Sequence, residues 1–154
     1  MERVVVDDGL LRLEINENGI LSFNPSDFNL YERFMSLWRE LPEIEKRYIS
    51  EVESNYIDEN DMEALGKELE TVKEIDNEVK SRLNAVFGAG NDFDKLLAGV
   101  NCMALGSNGD RVIANLLDAL RPYIEKGVQA QLDSAAKRAK LNREQRRALQ
   151  GGRA

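Results

Sequence analysis

The feature that most constrains the fold is the spacing of apolar residues between positions 62 and 86. They recur at alternating steps of three and four, which places them along one side of an α-helix. In heptad notation the a positions are Met62, Leu69, Asp76 and Leu83, and the d positions are Leu65, Val72, Val79 and Val86. This pattern predicts a long helix from about Asp61 to Phe87, packed along one narrow seam. Asp76 interrupts the seam: either it is a buried polar residue that fixes the register, or the seam rotates locally and Ile75 takes its place.

The first 24 residues are typical of β-strands rather than helices. The segments RVVV, LLRLEI and ILSF are separated by Asp7-Asp8-Gly9 and Glu17-Asn18-Gly19. Asp-Gly and Asn-Gly accept the positive φ angles of tight hairpin turns. In the second segment Leu11 and Leu13 alternate with charged residues, which favours one buried and one solvated face. We therefore predict a three-stranded antiparallel meander.

A helical period replaces this alternation after Pro25. Ser26 or Asp27 could cap a helix that carries a cluster of four aromatic residues and ends at Pro42. We expect the meander to shield part of this aromatic face (Phe28, Tyr31, Phe34 and Trp38). A second, shorter helix is predicted from Glu43 to about Ser54.

The second half of the chain predicts two further helices and a helical or disordered end. A short helix spans the segment NDFDKLLAGV, and a turn in ALGSNGDRV leads to a helix from Asp110 to about Leu132. Pro122 should kink or divide that last helix. Beyond it, Asn142 could cap a further helical segment, although few apolar residues follow.

The glycine-rich stretch FGAGNDFDKLLAG, residues 87–99, could suggest a phosphate or metal site, but its spacing fits neither. In a P-loop the lysine directly follows the last glycine, whereas Lys95 follows Asp94. A calcium loop opening at Asp92 would have Leu97 where glycine is needed and Met103 where a carboxylate is needed. The stretch is therefore interpreted as a helix end, a loop and a helix start.

Composition gives no indication of catalysis. The chain has no histidine, so it lacks the commonest general base and the commonest zinc ligand. Cys102 is its single cysteine, which suits a reducing compartment. No run of apolar residues is long enough to cross a membrane. We predict a non-enzymatic protein with no metal and no cofactor.

Charge is distributed unevenly. Residues 133–154 carry a net charge of +5, and the preceding 132 residues carry −12. The acidic body argues against nucleic acid as the partner, because phosphates would repel it. Such a body could instead imitate DNA and inhibit a DNA-binding host enzyme. However, the carboxylates in KELETVKEIDNEVKSR alternate with basic residues and form no unbroken acidic face.

Three segments carry a resemblance to a known family. They are GILSFNPSDFNLYERFMSLWREL, VFGAGNDFDKLLAGVNCMALGSNGDRVIANLLDALRPYIEKG and the basic ending LNREQRRAL. Together they resemble the tail assembly chaperones of long-tailed, siphovirus-like bacteriophages that infect Gram-positive hosts. The resemblance implies a protein that coats the tape measure protein in the host cytoplasm and delivers it to tail tube subunits. A structural tail or neck protein is an alternative, and self-association is left open.

These observations lead to one fold prediction and one set of candidate residues. We expect a mostly α, α+β fold with a small N-terminal β-meander, a bundle of four to six helices and a basic C-terminal tail. Residues 1–132 would form a single globular domain, with the meander in 1–24 and the helices in 25–132, and 133–154 would be the tail. The candidate partner-binding residues are Arg138, Arg143, Arg146, Arg147, Phe87, Phe93 and Leu96.

Overall fold

A computed structural model describes residues 1–53, 62–88 and 90–151. In these ranges, strands β1 (Leu11–Glu14) and β2 (Ile20–Phe23) precede four helices. The helices are α1 (Phe28–Glu51), α2 (Met62–Phe87), α3 (Phe93–Leu96) and α4 (Val112–Gly151). The mostly α, α+β prediction is confirmed.

The N-terminal sheet has two strands rather than the predicted three. β1 and β2 are antiparallel, with Leu11 opposite Phe23 and Leu13 opposite Leu21. Residues 3–6 form no strand, so the prediction of a first strand there was wrong. A high strand propensity is not sufficient for a segment to pair with a neighbouring strand. The side chains of Val4, Val5 and Val6 point into solvent instead of covering the core.

Helix α1 is one continuous element of 24 residues that passes through Pro42. Asp27 is its N-cap and accepts a hydrogen bond from the backbone N–H of Asn29 at 2.9 Å. The prediction that Pro42 ends the helix was wrong, as was that of a separate helix from Glu43; its predicted end, Ser54, lies outside the described residues. Packing explains the continuity, because the core-facing side continues from Leu37 through residues 41, 44 and 48 without a change of period.

Helix α2 follows the predicted seam only in its second half. Ile75, Val79 and Leu83 are buried, whereas Met62 is 75% exposed and Leu69 is 56% exposed. Ile75 and Asp76 are both buried, so Ile75 accompanies Asp76 and does not replace it. The predicted first residue, Asp61, lies outside the described ranges.

Helix α4 is longer than predicted. It begins at Val112 and continues through Pro122 and Leu132 to Gly151. Pro122 does not divide it, and Asn142 lies inside it rather than at a cap, so the predicted division and the predicted cap were both wrong. Only the first part of α4 contributes to the core, through Ile113, Leu117 and Ile124 among others.

The core lies where the hairpin, α1, the second half of α2, α3 and the first half of α4 meet. Phe87 is at the centre of the core. Its ring centroid lies 5.3 Å from that of Phe23, 6.3 Å from that of Phe34 and 5.3 Å from that of Phe93. The hairpin thus reaches the aromatic helix through Phe87. Of the aromatic face of α1, Phe34 is buried, Tyr31 and Trp38 are half-buried and Phe28 is 44% exposed.

Candidate functional site

The clearest candidate for a binding element is the second half of α4, because it leaves the body of the protein. Ile124 is the last buried residue of the helix, Gly127 and Val128 are half-buried, and residues 129–150 are all exposed. At Gly127 the helix lies against the backbone of Pro25, so closely that a β-carbon there would overlap the Pro25 carbonyl. This contact marks the point where the helix departs. We call residues 129–151 the projecting helix.

The projecting helix carries the basic charge that the sequence indicated. It contains six basic and two acidic residues. Within it, the Gln129 side chain donates a hydrogen bond to the Asp133 carboxylate at 2.9 Å. The basic residues are Lys137, Arg138, Lys140, Arg143, Arg146 and Arg147. All of them are exposed.

The predicted arginines do not share one face. Arg143 and Arg147 lie one turn apart and, with Lys140, line a shallow groove on the helix surface that also includes Ala136 and Glu144. At 100° per residue, Arg138 projects about 180° from Arg147, and Arg146 lies about 60° from Arg143 on the side away from Arg147. The projecting helix therefore presents positive charge around most of its circumference.

The three apolar candidates lie in the core and must be corrected. Phe87 is 5% exposed, Phe93 is fully buried and Leu96 is 3% exposed. A partner that docks on the folded chain cannot reach them, because all three side chains belong to the buried core cluster. Their spacing indicated a helix start, but sequence alone could not tell its buried face from a docking face.

The glycine-rich stretch organises the fold around it. Asn91 accepts a hydrogen bond from the Ser22 N–H and donates one to the Ser22 carbonyl, both at 2.9 Å, so its amide pairs with the outer edge of β2. Asn91 also donates to the Phe87 carbonyl, and Gly88, at φ +108°, supplies the backbone turn that α2 needs to end. Asp92 caps α3. The side chains of Asn91, Asp92 and Asp94 thus all make intramolecular bonds.

A buried ion cluster joins α2 to α3 and to the turn before α4. The Lys80 ammonium lies 2.8 Å from the Asp76 carboxylate and 2.7 Å from that of Asp94, and the Lys80 side chain is only 5% exposed. The other Asp76 oxygen accepts a hydrogen bond from the Cys102 N–H at 2.8 Å. Burial lowers the pKa of Lys80, but its bonds to the two carboxylates outweigh this effect and leave the pKa above its ordinary value. The i, i+4 spacing of Asp76 and Lys80 was the sequence signal for this pair.

A second polar cluster joins α1 to the start of α4. Arg111 lies 2.8 Å from Glu53 and 3.4 Å from Glu45, and it donates to the Met103 carbonyl at 2.9 Å. Its guanidinium also stacks over the Tyr48 ring, 5.4 Å from the centroid. Sequence reasoning missed this cluster, because its members are separated by about 60 positions and no local spacing connects them.

The single cysteine is also part of the core. Burial, reinforced by the Asp76 charge, raises the pKa of the Cys102 thiol to about 12, so this thiol is protonated and unreactive at neutral pH. No group of three or more potential metal-ligating side chains occurs within residues 1–53, 62–88 and 90–151. In the same ranges, no helix has the length and apolar character needed to cross a membrane.

Comparison with known proteins adds no relative. No protein-family model matches the chain, and neither the curated proteins nor the solved structures contain a match.

Proposed function

We propose that the chain is a bacteriophage tail assembly chaperone, acting in the host cytoplasm without enzymatic activity. In this role it binds the tape measure protein and presents it to tail tube subunits. Two things support the proposal: the resemblance of the three sequence segments described above, and the presence of an element suited to protein binding. That element is the projecting helix.

The observation that carries the binding role is the complete exposure of residues 129–150. An isolated helix gains no packing energy, and a short one is marginally stable in water. A helix that projects from the body can bind a partner without breaking packing contacts within its own chain. Val128 is the last residue of α4 that is even half-buried, so the exposed residues beyond it are available without rearrangement of the core.

The charge of the projecting helix defines the partner surface. Its basic groups attract acidic surfaces on a partner, while the net charge of −12 over the first 132 residues repels such a partner from the body. Binding should therefore occur at the projecting helix and should weaken as salt screens the charges. Arg143 and Arg147, on the same side of the helix, are the residues to test first.

The experiment is co-expression of the chain with candidate tape measure and tail tube proteins, followed by co-purification at low and high salt. The variant Arg143→Glu/Arg147→Glu should lose most of the captured partner. Its control is Arg39→Glu/Lys46→Glu, which makes the same change of net charge at exposed positions of α1. Capture that is equal for both variants and insensitive to salt would reject the projecting helix as the binding element. Failure of the wild-type chain to capture either protein would reject the chaperone assignment itself.

A further inference from the structure

Residues 4–6, which follow Arg3, form an apolar segment that the chain itself leaves uncovered. Val4, Val5 and Val6 are 85%, 81% and 73% exposed. Consecutive β-branched residues favour an extended strand, and full exposure of three of them is unfavourable. The segment therefore has the composition of a strand and lacks a partner strand.

The sheet has one edge that could receive a strand. The backbone N–H and C=O of Ser22 bond to the Asn91 amide, so they point away from β1. Arg12 is opposite Ser22 in the antiparallel pair. Since opposite residues direct their backbone groups in the same manner, the N–H and C=O of Arg12 point away from β2. By the same alternation the backbone groups of Glu14 face outward. In the described part of the chain no other group bonds to them, so the outer edge of β1 is open.

The chain's own N-terminal segment does not occupy this edge. The side-chain amide of Asn24, just after β2, donates a hydrogen bond to the Asp8 carbonyl at 2.8 Å. Gly9, at φ +70°, packs against the same Asn24 side chain, where a β-carbon would lie 2.9 Å from its amide nitrogen. These contacts tie the segment to the residue that follows β2 and leave residues 1–6 extending from the end of the hairpin.

Residues 3–6 and the outer edge of β1 are complementary in length, polarity and charge. In an antiparallel register with residue 3 opposite residue 14, Val4 and Val6 fall opposite Leu13 and Leu11 on the core-facing side. Arg3 then lies opposite Glu14 on the solvent side. Beside this edge, between β1 and α4, runs an apolar groove of about 550 Å³. Its lining includes Leu13, Ile15, Leu116, Leu120 and Tyr123.

We propose that the β1 edge of one copy binds residues 3–6 of a second copy as an added third strand. Backbone hydrogen bonds to Arg12 and Glu14 set the register, and Val4 packs against the groove. The occupant is a second copy because the same chain supplies both the open edge and a matching segment held away from it. This contact is independent of the projecting helix and of the proposed chaperone role.

Charge exchange between copies provides the decisive test. Arg3→Glu places like charges opposite Glu14, and Glu14→Arg places like charges opposite Arg3, so each variant alone should associate more weakly than wild type. We expect a loss of roughly threefold in affinity for each repulsive cross-strand pair. A mixture of the two variants restores opposite charges in both contacts and should recover association. The measurement is sedimentation velocity of each full chain and of the mixture over a concentration series.

A backbone variant tests the strand pairing itself. Val5→Pro removes the N–H that would bond to Arg12, and because Val5 is exposed the fold should be unchanged. It should abolish association, whereas the matched control Val5→Thr should retain it. A wild-type chain that stays monomeric throughout the series overturns the proposal. So does a mixture that associates no better than its separate variants, which would indicate that the segment closes onto its own sheet.

Discussion

The carboxylate of Asp76, in the middle of α2, accepts a hydrogen bond from the backbone N–H of Cys102 at 2.8 Å. The same carboxylate binds the Lys80 ammonium, so one side chain supports both a buried charge and the turn that leads into α4. Asp76 occupies an a position of the heptad pattern, where a buried polar residue can fix the register and the number of helices in a coiled coil. Its partners come from its own chain, and it therefore stabilises the monomer rather than specifying a coiled-coil partner.

Replacing Asp76 should be strongly destabilising. Asp76→Ala leaves the Cys102 N–H unpaired and the buried Lys80 with only Asp94, and we expect a loss of roughly 3–5 kcal/mol in the free energy of unfolding. Asp94→Ala should cost less than about 1 kcal/mol, because the Asp94 side chain is 68% exposed. Urea unfolding monitored by Trp38 fluorescence measures both. Equal effects of the two substitutions would contradict this account of the cluster.

The same cluster predicts a loss of stability at alkaline pH. The Cys102 thiol has an ordinary pKa of 9.0, and burial, with the Asp76 charge, raises it to about 12 in the folded chain. Between these values the unfolded chain releases a proton that the folded chain keeps, so the free energy of unfolding falls as pH rises. The slope for one group is at most about 1.4 kcal/mol per pH unit. Lys80 contributes in the same direction above its ordinary pKa of 10.5, because its folded pKa is also raised.

Unfolding curves at a series of pH values from 8 upward, each in urea, measure this dependence. Cys102→Ala removes the thiol and should show a flatter dependence between pH 9 and 12, whatever its stability at neutral pH. A slope identical to that of wild type would show that the thiol does not carry the effect.

Two helical glycines should respond oppositely to alanine. At Gly127 a β-carbon would overlap the Pro25 carbonyl, so Gly127→Ala should lower stability by roughly 1–3 kcal/mol despite the better helix propensity of alanine. At Gly66, within α2, a β-carbon would meet nothing within 4 Å. Gly66→Ala should therefore raise stability by about 0.5–1 kcal/mol. Thermal unfolding of the pair tests whether α4 truly packs against the segment before α1. Stabilisation by both substitutions would contradict that contact.

Sequence periodicity predicted helices well where one face is buried throughout. The second half of α2 and the helix start at Asp27 follow local rules, namely apolar spacing and capping, and both were predicted. The effect of Pro42 was predicted wrongly. Proline lacks the N–H of a helical hydrogen bond and so favours a helix end, but the packing of α1 on both sides of Pro42 outweighs this local effect. The strand pairing of residues 3–6 depends on whether the outer edge of β1 is open, and the sequence pattern does not show this.

The candidate site was predictable only in its charge. Basic composition marked the arginines of the projecting helix, but no sequence rule showed that the helix continues unbroken from Val112 into this region. Conversely, Phe93 and Leu96 have the same apolar character whether they form a core or a docking face. That distinction requires the position of β2, which is distant in sequence, as well as that of α2.

Deletion of residues 137–154 should leave the body of the protein intact. Every residue from 137 to 150 is exposed, so the described part of the deleted segment contributes nothing to the core, and we expect the Tm to change by less than about 2 °C. Thermal unfolding followed by Trp38 fluorescence reports the body, because Trp38 stacks on Phe34 and lies beneath Arg121 of α4. Hydrogen exchange of the full chain supplies the complementary measurement: amides of 137–150 should exchange rapidly, while those of 113–124 stay protected. A fall in Tm of more than about 5 °C, or slow exchange throughout α4, would show that the projecting helix packs on the body and is not free to bind a partner.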